Sequence, residues 1–301
     1  MKLTIFTPTY NRAYIIEQLY RSLQRQTCTD FEWLVVDDGS TDNTAKLFEQ
    51  WQQEDNPFPI RYYWQENGGK HRALNYGASI AQGKFFFIVD SDDTLPSNSI
   101  ETSIKWIASL PTGYKNTFCG VCGLKGFSYT NAIGTTFSGE YIDCTALERS
   151  KHGITGDKAE VFLTDVIRQY PFPEFAGEKF VTEAVVWDRM AADGWKMRFF
   201  NEIIYLCEYR EDGLTKQGLG LYYRNPQGYA LYLRQCREFR KYAAPVQRYY
   251  EIQCYLQWRK NMKLKDITKL LDVKPEILVY QTVKFKIREV ASAIQCKMKG
   301  D

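Results

Sequence analysis

Residues 85–93 read Phe85-Phe86-Phe87-Ile88-Val89-Asp90-Ser91-Asp92-Asp93, an apolar run that passes directly into three carboxylates. A continuous apolar run of this length is typical of a strand that is buried on both faces in a parallel sheet. Carboxylates this close together repel one another, so a bound cation would stabilise them. Hard divalent cations bind through one or two carboxylates together with a substrate diphosphate. The stretch therefore predicts a buried strand with a metal site at its carboxyl end.

The acidic end of this stretch also has a simpler interpretation. A DXD sequence on its own is more often a solvated acidic turn or a helix cap than a metal site. Its position directly after an apolar strand favours the metal site, because ligands of parallel α/β sheets bind beyond the carboxyl ends of the strands.

Strands and helices alternate on the N-terminal side of this stretch. Strands are predicted at 3–7, 31–36, 60–64 and 85–89, and helices at 13–26, 41–51 and 70–82. Pro8 lacks an N–H group and is expected to end the first strand. This alternation predicts an α/β fold, in which helices cover both faces of a right-handed, mostly parallel sheet.

The pattern changes after about residue 110. Strand-like segments cover 117–142 and 199–209, a helix is predicted near 182–193, and the chain is helical from 221 onward. The sequence therefore predicts an α/β domain at 1–220 and a helical C-terminal extension at 221–301.

Composition excludes several classes of protein. The chain is 44% hydrophobic and 25% charged, as in ordinary globular proteins. It has no run of about 18 apolar residues that would predict a membrane-spanning helix. The N-terminal segment lacks a small-residue cleavage site and is interpreted as the first strand, so a cytoplasmic location is expected.

Cys119 and Cys122 form a CxxC without a second pair, which favours reduced thiols over a zinc site.

Charge is distributed unevenly along the chain. Residues 221–301 have 17 Lys and Arg against 7 Asp and Glu, whereas residues 1–220 have 22 against 29. An acidic body suits a metal site, and a basic extension suits an anionic surface. No nucleic-acid-binding motif occurs, so no nucleic acid partner is expected. Two hypotheses stay open for the extension: peripheral contact with the inner face of the membrane, or packing on the α/β domain and on a second subunit in a homo-oligomer.

Four segments, in this order, resemble the family 2 glycosyltransferases of bacterial surface-polysaccharide synthesis, which have the GT-A fold. They are Thr7-Pro-Thr-Tyr-Asn-Arg12, Val35-Val-Asp-Asp-Gly-Ser-Thr-Asp-Asn-Thr44, Gly68-Gly-Lys-His-Arg-Ala-Leu-Asn-Tyr-Gly77 and Phe87-Ile-Val-Asp-Ser-Asp-Asp93. Each segment alone is weak, but the combination is specific. The resemblance is clear over about residues 1–110 and weaker to about residue 215.

The resemblance implies metal-dependent transfer of a sugar from a nucleotide-sugar donor, UDP-linked, to a hydroxyl of a glycan or lipid-linked acceptor, with inversion. Mn²⁺ or Mg²⁺ would bind at the DXD motif, with Asp92 as the main ligand. The residues implied in nucleotide binding are Pro8, Thr9, Tyr10, Arg12, Asp37, Asp38, Lys70, Asp90 and Ser91. Residues 1–110 would form the nucleotide-binding half of the catalytic domain and 111–220 the acceptor-binding half.

An inverting transfer also needs a base that deprotonates the acceptor hydroxyl. In the family this is an acidic residue, often Asp, at the start of a helix after the second part of the sheet. Glu183 is the matching residue here, with a helix expected to begin at about Thr182. A charge that favours the helix N-terminus is the structural alternative for Glu183. Glu178 and Asp188 are rival candidates, and Asp188 is predicted to be a charge on the helix surface.

Two other functions remain open at this stage. A sugar nucleotidyltransferase would share the nucleotide site and the acidic ligands, but it usually has a glycine-rich, basic N-terminal loop, which residues 7–12 do not provide. A catalytically inactive nucleotide-sugar or glycan-binding module is the non-enzymatic alternative. Release of free nucleotide from a donor would distinguish the enzyme from the binding module.

Overall fold

The structure is a computed structural model that describes residues 2–208, 210, 213–241 and 244–298, without the side chains of 214, 215 and 290–298. The chain forms two compact units, Met1–Lys216 and Gln217–Asp301, each with most of its residue contacts inside itself. The division lies close to the boundary that we predict at residue 220.

The first unit is built on one mixed sheet. Its strands are β1 (Leu3–Thr9), β2 (Phe31–Asp37), β3 (Ile60–Trp64), β4 (Phe85–Ile88), β5 (Phe118–Gly126), β6 (Tyr141–Cys144), β7 (Lys158–Leu163) and β8 (Lys196–Leu206). They lie in the order β3-β2-β1-β4-β7-β5-β8-β6. The first four are parallel, β7 runs antiparallel to β4 and β5, and β6 runs antiparallel to β8. The predicted α/β sheet is therefore confirmed, with one half that is mixed.

Helices cover both faces of this sheet. They are α1 (Glu17–Gln24), α2 (Thr44–Trp51), α3 (Lys70–Ile80), α4 (Ser99–Ala108), α5 (Thr164–Ile167) and α6 (Ala184–Ala192). On one face, the Trp33 ring of β2 lies 5.1 Å from Phe48 of α2. On the other face, α3 packs so closely that a Cβ on Gly77 would lie 2.0 Å from the Phe6 ring. Glycine at this position thus permits the close approach of α3 to β1.

The expectation that Pro8 ends the first strand is wrong. β1 continues to Thr9, and Pro8 is paired with Val36 of β2. The pairing of β1 with β4 already stops at Phe6 and Ile88. Beyond that point Pro8 has a neighbouring strand on one side only. Because no strand is paired with it on the β4 side, its missing N–H group costs no hydrogen bond there.

The second unit is helical, as predicted. Its α-helices are α7 (Gly218–Tyr223), α8 (Pro226–Gln235), α9 (Ala244–Trp258), α10 (Leu264–Leu271) and α11 (Pro275–Met298). This unit has its own apolar core, whose buried residues include Tyr229, Leu233, Trp258, Ile267 and Leu278. In the part of the chain that the structure describes, none of the helices combines the length and the apolar character that crossing a membrane requires.

Candidate active site

Asn11 holds together the loops that follow β1 and β2. Its φ of 52° lies in the left-handed region, which asparagine tolerates better than most residues. Its N–H donates to Ser40 Oγ at 2.7 Å, and its Oδ1 accepts from the Thr41 N–H at 2.8 Å. These bonds fix the segment containing Thr9 and the half-exposed Tyr10 at the carboxyl edge of the sheet.

Asp37 and Asp38 build the neighbouring turns. Asp37 accepts hydrogen bonds from the Ser40 N–H at 2.7 Å and from the Tyr62 hydroxyl at 2.5 Å. Asp38 accepts four bonds from backbone and side-chain groups of residues 65–69, the loop that leads into α3. Both buried carboxylates therefore have a structural role, and the contact of either one with a nucleobase stays a prediction.

Gly69 brings the start of α3 against the segment that leads to α6. Its φ is 99°, and a Cβ at this position would lie 1.9 Å from the carbonyl oxygen of Lys179. A residue with a side chain could not occupy this position without moving the backbone. The contact places Lys70, the first residue of α3, beside the chain that continues to Glu183.

Lys70 joins two carboxylates from different elements. Its Nζ lies 2.6 Å from Asp90 Oδ1, beyond β4, and 2.9 Å from Glu183 Oε1, at the start of α6. Burial alone would lower the pKa of Lys70, but the two carboxylates outweigh burial and raise it above its usual value. Three residues predicted for the site thus meet at one ammonium group.

Asp90 and Asp92 differ in their electrostatic surroundings. Burial raises the pKa of Asp90, but the positive charges of Lys70 and Lys125 outweigh it and hold the pKa below its usual value. Burial and then the charge of Asp90 raise the pKa of Asp92. Arg12 opposes this effect only weakly, because its Nη2 lies 3.9 Å from Asp92 Oδ2. A cation at Asp92 would relieve the repulsion between these two carboxylates.

Tyr205 of β8 holds the acidic loop in place, and sequence analysis missed it. Its buried hydroxyl accepts a hydrogen bond from the Asp90 N–H at 2.9 Å and donates one to Asp93 Oδ2 at 2.6 Å. Lys125 Nζ lies 4.1 Å from the centre of the Tyr205 ring. Burial and the charge of Asp90 raise the pKa of Asp93 to about 7. Asp93 therefore serves to anchor the loop.

Among the three candidates for the base, Glu183 alone is accessible. Its side chain is 41% exposed, and α6 begins directly after it. Glu178 and Asp188 are buried. The prediction that Asp188 is a surface charge is wrong, because it lies on the same buried face of α6 as Val185 and Ala191, three residues away on either side.

The residues fit a divalent cation that is shared with a substrate. Among the described residues, no group of three or more His, Cys, Asp or Glu could hold a metal ion by itself. Mg²⁺ usually keeps several waters and binds one or two carboxylates together with substrate phosphates. Asp92, a carboxylate under like-charge repulsion at the edge of the sheet, is suited to that mode of binding.

Cysteine and histidine, which also bind metal ions, have different surroundings in this domain. Cys119 and Cys122 are buried free thiols in β5, as predicted, and burial raises the pKa of Cys119 to about 12. His71 is buried on α3, and burial lowers its pKa to about 4. Among the groups that the structure describes, neither ring nitrogen of His71 has a hydrogen-bond partner.

A small pocket, open to solvent, lies between α6 and the mixed half of the sheet. Its walls include Trp187, Met190 and Phe199, and its polar groups include Glu160 and Arg149. Burial raises the pKa of Glu160 to about 7, although Arg149 and Lys125 oppose this effect.

Raising the pH from about 5 to about 8 is expected to lower the melting temperature, in part through Glu160. A glutamate with a pKa of about 7 in the folded protein retains a proton that the unfolded chain has already released above its ordinary value of 4.5. Stability from this group is therefore present at low pH and is lost as the pH rises through about 7.

Glu160→Gln removes this titration and should reduce the fall in melting temperature by several degrees. Glu17→Gln, which changes an exposed carboxylate of α1, should leave the fall unchanged. An equal fall in Glu160→Gln and wild type would refute the assignment.

A family model and several proteins resemble this chain. The model described as Glycosyl transferase family 2 matches residues 4–164. Glycosyltransferase GlyG of Streptococcus pneumoniae is 38% identical over 33% of this chain, and the alignment covers 33% of GlyG. The GalNAc(5)-diNAcBac-PP-undecaprenol beta-1,3-glucosyltransferase of Campylobacter jejuni is 25% identical over 91% of this chain and 89% of its own length.

Two solved structures resemble the fold. S. aureus TarS 1-349 in complex with UDP-GlcNAc has a TM-score of 0.61 and 19% identity, covering 94% of this chain and 88% of that one. Mannosyltransferase PcManGT from Pyrobaculum calidifontis, in complex with GDP-Man and Mn²⁺, has a TM-score of 0.55 and 17% identity, covering 97% and 80%. The predicted GT-A fold is confirmed.

Proposed function

The chain belongs to glycosyl transferase family 2, and from this premise we propose that it transfers a sugar from a UDP-linked donor to a hydroxyl of a glycan or lipid-linked acceptor. We further propose that the reaction inverts the anomeric carbon, requires Mn²⁺ or Mg²⁺ and serves cell-surface polysaccharide synthesis. The observation that carries the proposal is the contact of Lys70 with both Asp90 and Glu183. It brings the acidic loop and a candidate base into one cleft.

The relatives support the classes of donor and acceptor. TarS is described in complex with UDP-GlcNAc, and PcManGT in complex with GDP-Man and Mn²⁺. The C. jejuni relative, aligned over nearly the whole chain, is named for an undecaprenol-linked acceptor. These descriptions support a nucleotide-sugar donor and are consistent with a lipid-linked acceptor for this chain.

On the donor side, the loops after β1, β2 and β4 share the edge of the sheet where nucleotides bind in α/β folds. Arg12 and Lys70 supply positive charge that would attract a diphosphate, and Asp92 would hold the cation. A divalent cation bound there would neutralise the charge that develops on the leaving diphosphate. Tyr205 and Asp93 would keep the acidic loop in position through their hydrogen bonds.

On the acceptor side, Glu183 would remove the proton of the attacking hydroxyl. The acceptor oxygen forms a bond to the anomeric carbon while the bond from that carbon to the diphosphate oxygen breaks. The bonding electrons leave with the diphosphate, and the proton passes to Glu183. Lys70 Nζ lies 2.9 Å from Glu183 Oε1 and would orient the carboxylate for this step.

A donor panel tests the proposal directly. With Mn²⁺, a UDP-sugar should raise the melting temperature and be hydrolysed slowly to free UDP, whereas GDP-mannose, the control with another base, should do neither. EDTA should abolish both effects. Stabilisation without nucleotide release would favour the inactive binding module, and the absence of both responses across the panel would contradict the enzymatic function.

A further inference from the structure

Helix α11 has apolar side chains on two opposite faces. One face carries the buried residues Leu278 and Thr282, together with Phe285, whose ring lies 6.0 Å from Tyr249 of α9. This face packs within the second unit, and burial of its side chains holds α11 in place there.

The opposite face of α11 is apolar and exposed. Its residues are Ile277 (45% exposed), Tyr280 (66%), Val283 (54%) and Ile287 (64%). Their spacing of three or four residues places them along one stripe of the helix. We call this set the outer stripe. Exposed apolar residues scattered singly are ordinary, but a contiguous stripe indicates a surface that binds something.

Basic residues border the outer stripe. Lys284 and Arg288 are exposed and lie along one margin of it. Lys286 lies near the other margin, where its Nζ is paired with Glu289 Oε2 at 2.6 Å. The sequence from 221 to 301 has a net charge of +10. An apolar stripe with basic margins is the pattern of helices that lie in the interface of anionic lipid bilayers.

We propose that the outer stripe of α11 docks on the surface of an anionic membrane, with Tyr280, Val283 and Ile287 entering the lipid and Lys284 and Arg288 contacting headgroup phosphates. The partner is an anionic lipid surface and not a second copy of this chain. Two copies would bring units of like charge together, and like charges across an interface oppose association. This proposal stands independently of the sugar that the protein transfers.

Co-sedimentation of the full-length protein with vesicles tests the proposal. Wild type should bind vesicles that contain phosphatidylglycerol much more tightly than vesicles of phosphatidylcholine alone, and salt should weaken the binding. The triple variant Tyr280→Ser, Val283→Ser, Ile287→Ser changes exposed positions only and should weaken binding by more than about tenfold. The double variant Lys284→Gln, Arg288→Gln should weaken it by about 25-fold, since each basic residue near an anionic surface contributes about fivefold.

A matched pair of single variants controls for the loss of any exposed ring. Tyr280→Ser should reduce vesicle binding, whereas Tyr129→Ser, which removes a tyrosine of similar exposure (70%) from the first unit, should not. Equal binding by the triple variant and wild type would overturn the proposal, as would equal binding to neutral and anionic vesicles. A dimer of wild type that the triple variant dissociates would instead assign the stripe to a second copy. Release of UDP in solution should be unchanged in all these variants, so failure of membrane binding is distinguishable from failure of the proposed reaction.

Discussion

Asp92→Asn is expected to slow sugar transfer by about 10³-fold, because a cation that supplies several kcal/mol of charge stabilisation would no longer be held. Burial and the charge of Asp90 raise the pKa of Asp92, so a neutral residue of the same shape removes a repulsion and should leave the fold intact. The measurement is UDP release at increasing Mn²⁺, combined with the melting temperature. The Mn²⁺ concentration for half-maximal activity should rise together with the loss in rate.

Asp165→Asn provides a matched control for this variant. Asp165 is 85% exposed and follows β7, which runs antiparallel to β4, so it lies at the edge of the sheet opposite to Asp92. Its substitution should change neither the rate nor the dependence on Mn²⁺. Near-normal turnover by Asp92→Asn at low Mn²⁺ would contradict the assignment of Asp92 as the metal ligand.

The parallel half of the sheet was predictable because its signals are local. The strands predicted at 31–36, 60–64 and 85–89 agree with β2, β3 and β4 to within one residue. β2 and β4 are short, mostly apolar runs followed by polar residues, as expected for strands that are buried on both faces. β3 lies at the edge of the sheet and is only partly buried, so its aromatic residues rather than full burial predicted it. Since parallel strands end at one edge, the same pattern predicted that the acidic loop and the N-terminal motifs share a cleft.

The mixed half of the sheet was harder to predict from the sequence, because its stabilising contacts come from distant parts of the chain. β7 was not predicted, since Lys158 and Glu160 interrupt its apolar character. Lys158 Nζ donates to the carbonyl oxygens of Ile133 and Thr155, partners that only the folded loops supply. A buried lysine is tolerated when its donors are satisfied in this way, and the sequence around β7 does not reveal it.

The residues of the site also divide into those with a local sequence signal and those without one. Asp90, Lys70 and Glu183 were singled out by a motif or by a position at the start of a helix, and the structure brings them together. Tyr205 was missed because its partner Asp93 lies 112 residues away in the sequence. A tyrosine in an apolar strand has no local feature that separates a loop anchor from an ordinary core residue.

Glu183→Gln is expected to lower the turnover of sugar transfer by about 10²- to 10⁴-fold, the usual contribution of a general base. The amide has nearly the shape of the carboxylate and can still accept a hydrogen bond from Lys70, so the cleft should keep its geometry. What it loses is the ability to take the proton of the acceptor hydroxyl. Affinity for the UDP-sugar, measured by calorimetry with Mn²⁺, should therefore change far less than turnover.

The conservative variant Glu183→Asp separates base chemistry from the position of the side chain. It keeps a carboxylate but places it one methylene farther back from Lys70 and the acceptor. It should be slower than wild type and yet recover at least about tenfold over Glu183→Gln, because a displaced base still transfers a proton. Equal turnover in the Gln and Asp variants would mean that the charge of Glu183 does no chemistry. Its contact with Lys70 would then serve only to position α6 against the acidic loop.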